Sequence, residues 1–81
     1  MSSIYRVIDQ YDRRVRDLTK RAIKSGIMPD ANVYYALNAA EKAITAARKA
    51  GEAAIMPNVE DAVAEAARVV DTEEKYAAAR D

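Results

Sequence analysis

An apolar helical pattern returns along this chain at a spacing of about 26 residues. The segments 32–44 and 58–70 both begin with Asn-Val and continue with apolar residues at alternating steps of four and three. A fainter copy lies upstream at Val7, Tyr11 and Leu18. Such steps place apolar side chains on one face of a helix, where they can pack against another helix. The sequence therefore predicts an all-α fold, a small antiparallel bundle of similar helices.

Capping signals divide the chain into three principal helices, at about 3–25, 31–50 and 58–71. Gly26 followed by Ile27 predicts a Schellman C-cap, and Gly51 is predicted to end the second helix in the same way. The predicted N-cap residues are Ser3, Asp30 and Asn58, the last with Asp61 in an approximate capping box. Connections this short force neighbouring helices to run antiparallel.

The third apolar seam stops at Val70, because the next seam position is Glu73. Residues 72–81 are therefore predicted to be a helix-prone but loosely anchored extension of a single domain, 1–81. The predicted core consists of Ile8, Tyr11, Val15, Leu18, Val33, Leu37, Ala40, Ile44, Val59, Val63, Ala66 and Val70.

The amino-acid composition excludes several kinds of catalytic and metal-binding site. It has no Cys and no His, so thiolate sites and the usual general base and metal ligand are missing. Asp61 and Glu65 lie one turn apart, but no carboxylate partner on another helix is evident. We expect no enzyme activity, no cofactor and no metal. No apolar run reaches the length of a membrane span and no secretory signal is visible, so a cytoplasmic protein without membrane contact is expected.

The charges cancel overall but are unevenly distributed. Residues 1–26 carry an excess of basic groups and residues 52–81 an excess of acidic ones. Either the two ends of the chain pair with each other, or a basic face meets an anionic partner. An Ala-rich core buries little apolar area, so we also expect the chain to complete its burial against a partner, including a second copy of itself.

Two predicted surface features indicate a protein-binding site. Tyr34 and Tyr35 are adjacent, so they point about 100° apart on a helix and cannot both be fully buried. At least one is expected at the edge of the bundle, either as an interface anchor or with its ring lying flat on its own helix. Arg6, Arg13 and Lys20 follow at steps of seven on the outward side of the first helix. These five residues are the predicted contact surface of a protein–protein interaction or assembly module.

The alternative hypothesis is nucleic-acid binding. Residues 22–37, with a small residue four positions before Gly26 and Val33 in the following helix, resemble a helix-turn-helix. That resemblance implies a recognition helix with Asn32 and Tyr35 near base edges. The cations that would contact phosphates are Arg13, Arg16, Lys20 and Lys24.

Intrahelical ion pairs offer a simpler account of the same cations. Three Asp residues each precede an Arg by four, which is the favourable orientation for such pairs. The predicted pairs are Asp9–Arg13, Asp12–Arg16 and Asp17–Arg21.

Overall fold

The computed structural model describes residues 4–51 and 56–80, which form three α-helices and no strand. These are α1 (Ile4–Lys24), α2 (Ala31–Ala50) and α3 (Met56–Ala79). The predicted all-α class is confirmed, and the first two helices lie within one residue of their predicted limits. None of the three, as described, is both long and apolar enough to cross a lipid bilayer.

The predicted caps on both sides of the turn between α1 and α2 are confirmed. Gly26 has a left-handed φ of 72°. Its N–H donates to the Ile23 carbonyl at 3.1 Å, while the Ile27 N–H donates to the Ala22 carbonyl at 3.0 Å, as a Schellman motif requires. Asp30 caps α2 by accepting from the backbone N–H of Asn32 at 2.8 Å.

The other capping predictions have mixed outcomes. Gly51, with φ 65°, donates its N–H to the Ala47 carbonyl at 2.8 Å and ends α2. Ser3 and residues 52–55 lie outside the described residues. Asn58 is not an N-cap, because α3 already begins at Met56. Pro57 suits the first helical turn, where its fixed φ is favourable and its missing N–H is not needed.

Polar contacts at both ends of the bundle define its topology. Arg48, near the end of α2, donates to Asp9, near the start of α1, at 3.1 Å. Arg21, near the end of α1, bonds to Asp71 and Glu74 in the second half of α3. Helices α1 and α3 therefore run in the same direction and α2 runs opposite to both. The bundle is a rod of about 48 × 19 × 15 Å, so each helix keeps one face towards solvent.

One cluster of buried side chains fills the bundle. Eleven of the twelve predicted core residues are buried, and Tyr11 is the exception because it is only partly buried. Its hydroxyl stays near Glu60, and burial together with that carboxylate raises the pKa of the phenol. The remaining buried residues are Ala22, Ile27 and Ala47. Burial of a Val or Ile contributes about 1.5–3 kcal/mol and Ala much less, so this core is modest for its length.

Helix α3 continues through residues 72–79, past its predicted end at 71. The expectation of a loosely anchored segment is wrong for Glu74, which bonds to Arg21 and to the Ser25 hydroxyl at 2.7 Å. Ala77 packs against the core. Polar contacts between helices, together with Ala77, therefore anchor the chain beyond the predicted end of the apolar seam at Val70.

Candidate functional site

The aromatic pair, Tyr34 and Tyr35, lies on the outside of α2. Val33 and Leu37 occupy the core-facing positions on either side of it, so the helical phase turns both tyrosines outward. Tyr34 is 56 % exposed and Tyr35 is 68 % exposed. The ring centroids are 6.0 Å apart with planes at 75°, an edge-to-face contact. The sequence predicted that at least one of the two rings is exposed, and the structure exposes both.

The two rings border different grooves of the bundle. Tyr34 lies beside Thr19 and Met28, over the contact between α1 and α2. Tyr35 borders a larger groove of about 430 Å³ between α2 and α3, with Ala36 and Val69 among its apolar walls. The aromatic pair thus spans the outward ridge of α2.

The basic line, Arg6, Arg13 and Lys20, is exposed along α1 as expected. Arg6 and Arg13 border one shallow surface groove together with Asp9 and Gln10. Within the described residues, no carboxylate lies within 4.0 Å of these three cations or of Lys24.

Only one of the three predicted intrahelical ion pairs forms. Arg16 lies 3.0 Å from Asp12. Asp9 pairs with Arg48 of α2 instead of Arg13, so the predicted Asp9–Arg13 pair is wrong. Arg21 likewise turns away from Asp17 towards α3. Pairing across helices thus leaves the basic line without a carboxylate partner among residues 4–51 and 56–80.

The Arg21 cluster joins the basic and acidic ends of the chain within one molecule. Arg21 lies 2.7 Å from Asp71 and also bonds to Glu74. The hydrogen bonds from Arg21 and Ser25 hold the pKa of Glu74 below its ordinary value. Reciprocally, the bonds to Glu74 and then Asp71 raise the pKa of Arg21. Charge asymmetry in the sequence signalled such pairing but not its partners.

A second pair of carboxyl groups lies where α2 begins beside α3. Desolvation opposes ionisation of Asp30, but hydrogen bonds from Glu73 and from two backbone N–H groups outweigh it and lower the pKa. The hydrogen bond to Asp30 raises the pKa of Glu73. Glu73 therefore holds a proton more readily than an isolated Glu.

The residues of the helix-turn-helix hypothesis are dispersed. Asn32 borders the groove between α2 and α3, whereas Arg13 borders the groove on α1. Arg16 is paired with Asp12. The turn at Gly26 is a helix cap, and the hydroxyl of Ser25 is bonded to Glu74.

Among the described residues, the acidic side chains of α3 divide between separate contacts, at Arg68, Arg21 and Asp30. Glu65 pairs with Arg68 on its own helix, and this hydrogen bond lowers the pKa of Glu65. Among residues 4–51 and 56–80, no group of three Asp or Glu side chains is arranged to hold a metal ion.

Sequence reasoning did not single out three further exposed apolar side chains. Ile23 is 63 % exposed, and Tyr5 and Tyr76 are at least half exposed. No signal marked Tyr76, because the helix that carries it was predicted to end before it.

No protein-family model, no curated protein and no solved structure matches this chain. Function is therefore inferred from the residues and their geometry.

Proposed function

We propose that this protein is a non-enzymatic protein–protein interaction or assembly module whose contact surface is centred on the aromatic pair. The observation that carries the proposal is the outward placement of two adjacent tyrosines, each more than half exposed, on one helix. Tyrosine is enriched among residues that dominate binding energy, because it brings a large rigid surface at a small entropic cost.

These two rings contribute little to the stability of the bundle. Its core is filled by aliphatic side chains, and neither ring belongs to it. Two exposed aromatic rings in contact form a patch that a partner can desolvate, with Asn32 and Asn38 beside it as hydrogen-bonding groups. The basic line lies on another helix and suits the polar rim of an interface, where charges mainly affect the association rate.

The composition supports a non-enzymatic role. A chain without His and Cys lacks the side chains that most often act as general base and nucleophile near neutral pH. Among the described residues, its carboxyl groups are bound to Arg residues, form the Asp30–Glu73 pair or lie singly on the surface.

Nucleic-acid binding remains the second candidate, because the basic line has no carboxylate partner among the described residues. Cations spaced along an exposed helix can follow phosphates and bind without sequence preference. Asp9 and Asp17, on the same helix, oppose this by repelling phosphate.

Salt dependence separates the two candidates. Phosphate binding by several cations weakens steeply with salt because counterions are released, whereas a buried aromatic contact is screened little. We expect fluorescence anisotropy to detect weak or no binding of duplex DNA at physiological salt. Tight binding that is abolished by Arg13→Ala with Lys20→Ala, in a protein whose circular dichroism is unchanged, favours the nucleic-acid function.

The interaction function is tested with the native host's proteins. The protein and its Tyr35→Ala variant are each immobilised, and the host proteins that each retains are compared. Tyr76→Ala serves as the control, because it removes a similarly exposed tyrosine from another helix. We expect Tyr35→Ala to lose a retained partner that Tyr76→Ala keeps. Equal retention by all three proteins contradicts the proposal.

A further inference from the structure

The outward face of α2 is uncovered from its first turn to its last. Residues on this face recur at steps of four and three, on the side opposite to the buried residues of the same helix. All of them are exposed except Asn38, which is half-buried: Ala31, Tyr35, Asn38, Lys42, Thr45 and Lys49. Neither α1 nor α3 covers this line.

The two halves of the face differ in chemistry. The first half carries the aromatic pair, with Tyr34 packed edge-to-face on Tyr35. The second half carries Lys42 and Lys49, which are one heptad, about 10 Å, apart along the axis. Within the described residues, neither ammonium group has a carboxylate within 4.0 Å.

Small side chains lie between the two lysines. Thr45 and Ala46 are both exposed, and with Lys42 and Lys49 they occupy positions i, i+3, i+4 and i+7. Four residues at these positions frame the hole that accepts one side chain of a facing helix. This lysine-flanked hole has a small-residue floor and two cationic sides, which complement the electron-rich face of an aromatic ring.

The ring and the hole lie on the same helix. A single twofold axis can therefore place the Tyr35 ring of each copy in the lysine-flanked hole of the other. We infer that the outward face of α2 binds a second copy of this chain in antiparallel orientation, with Tyr35 of each copy in the lysine-flanked hole of the other. A twofold axis near residue 40 aligns Tyr35 with Thr45, and Asn38 with Lys42, of the second copy. This inference rests on the proposed interaction function and names the partner of its aromatic pair.

Charge complementarity selects the antiparallel orientation. A parallel pair places lysine beside lysine and ring beside ring, which forgoes both cation–π contacts and sets like charges opposite each other. An antiparallel pair forms two equivalent cation–π contacts, and the interface closes on two copies.

The expected strength follows from the size of the face. One helix of 20 residues is about 30 Å long, and a single exposed stripe of this length is at the small end of specific interfaces. The dimer is therefore expected to exchange rapidly with monomer. Since no pair of opposite charges holds it together, raising the salt concentration leaves its dissociation constant nearly unchanged.

Sedimentation equilibrium over a wide concentration range tests the interface with matched variants. We expect Tyr35→Ala to raise the dimer dissociation constant at least about tenfold, as for an aromatic anchor, while Tyr76→Ala leaves it unchanged. Lys42→Gln with Lys49→Gln is expected to weaken the dimer, and Lys75→Gln on α3 is not. All of these side chains are exposed, and circular dichroism verifies that each variant is folded.

A spin label tests the orientation. The chain has no Cys, so Ala50→Cys introduces a unique, exposed attachment site next to the face but outside the hole. In the antiparallel dimer the two labels are separated by about 30 Å along the helix axis, from twice the ten-residue distance to the twofold axis. A distance near the width of two helices indicates a parallel pair and contradicts the inference.

Failure of this inference is distinguishable from failure of the proposed function. A strict monomer at every concentration, or a dimer insensitive to Tyr35→Ala, overturns the antiparallel interface. If Tyr35→Ala still abolishes retention of a host protein, the interaction function stands and the aromatic pair binds a different partner. If neither self-association nor retention depends on Tyr35, both proposals fail.

Discussion

The two glycines with positive φ offer a controlled test of the bundle's end contacts. Gly26 and Gly51 adopt nearly the same left-handed conformation, with φ of 72° and 65°. A Cβ added at Gly26 meets no atom within 4 Å, whereas one added at Gly51 lies 2.7 Å from the Tyr5 hydroxyl oxygen. Replacement by Ala therefore imposes the same backbone cost at both sites and a steric cost at only one.

The magnitudes follow from these distances. Forcing an L-residue into the left-handed region costs roughly 1–2 kcal/mol, so Gly26→Ala is expected to lower the free energy of unfolding by about that amount. For a domain of this size, each 1 kcal/mol lowers Tm by about 4–8 °C. Gly51→Ala adds a close contact with the hydroxyl of Tyr5, a half-exposed side chain that must move away, so its cost exceeds that of Gly26→Ala by up to about 1 kcal/mol.

A double-mutant cycle isolates the contact. The Tyr5 ring carbon next to the hydroxyl lies 3.6 Å from the added Cβ, an ordinary contact, so Tyr5→Phe removes the clash and keeps the ring. Urea denaturation followed by far-ultraviolet circular dichroism should show that Gly51→Ala is less harmful in the Phe background, by up to about 1 kcal/mol. Equal costs for the two Gly→Ala changes, with no coupling to Tyr5, would falsify the placement of this ring over the end of α2.

Three further predictions address charge and core packing. Because the native pKa of Glu73 is raised by its contact with Asp30, that pair contributes stability below the unfolded pKa of Glu and loses it as pH rises through the native value. Glu73→Gln, with its permanent donor, should therefore become more stable relative to the unmodified protein as pH rises from 4 to 7, and a difference in Tm that does not change with pH refutes this. Glu74 has a lowered pKa, so its bond to Arg21 stabilises the bundle above the unfolded pKa of Glu and is lost on acidification. Arg21→Ala should cost up to about 1 kcal/mol at pH 7 and less at pH 3, measured by urea titration at both values. Val63→Ala removes two fully buried methyl groups and should cost about 2 kcal/mol, and a loss below about 0.5 kcal/mol indicates a loosely packed centre.

The helical periodicity and caps were readable from the sequence because they depend on local chemistry. The left-handed Gly26, the capping carboxylate of Asp30 and the apolar steps of each helix act over at most a few turns. The same phase that buries Val33 and Leu37 places the aromatic pair outside, so exposure of a tyrosine could be predicted before the helices were packed.

The choice of ion-pair partners was not readable in this way. Asp9 has Arg13 one turn away and Arg48 across the bundle, and both long side chains can reach it. Which of the two Arg residues pairs with Asp9 depends on the distance between the helix axes. The local sequence pattern carries no information about that distance. The end of α3 was missed for a related reason, because Glu74 is held by Arg21 and Ser25 rather than by an apolar seam.

These contacts change the physical basis for expecting self-association. The basic first third and the acidic last third of the sequence offer a second reason for self-association besides the Ala-rich core, because opposite ends of two molecules can attract each other. The bundle already brings those ends together within one molecule, since α1 and α3 run side by side and Arg21 bridges to two carboxylates. That attraction is therefore largely satisfied in the monomer. A second copy gains more from the face of α2, which has exposed rings and, within the part of the chain that the structure describes, lysines without carboxylate partners and no covering helix. Aromatic contact rather than opposite charge should therefore govern assembly.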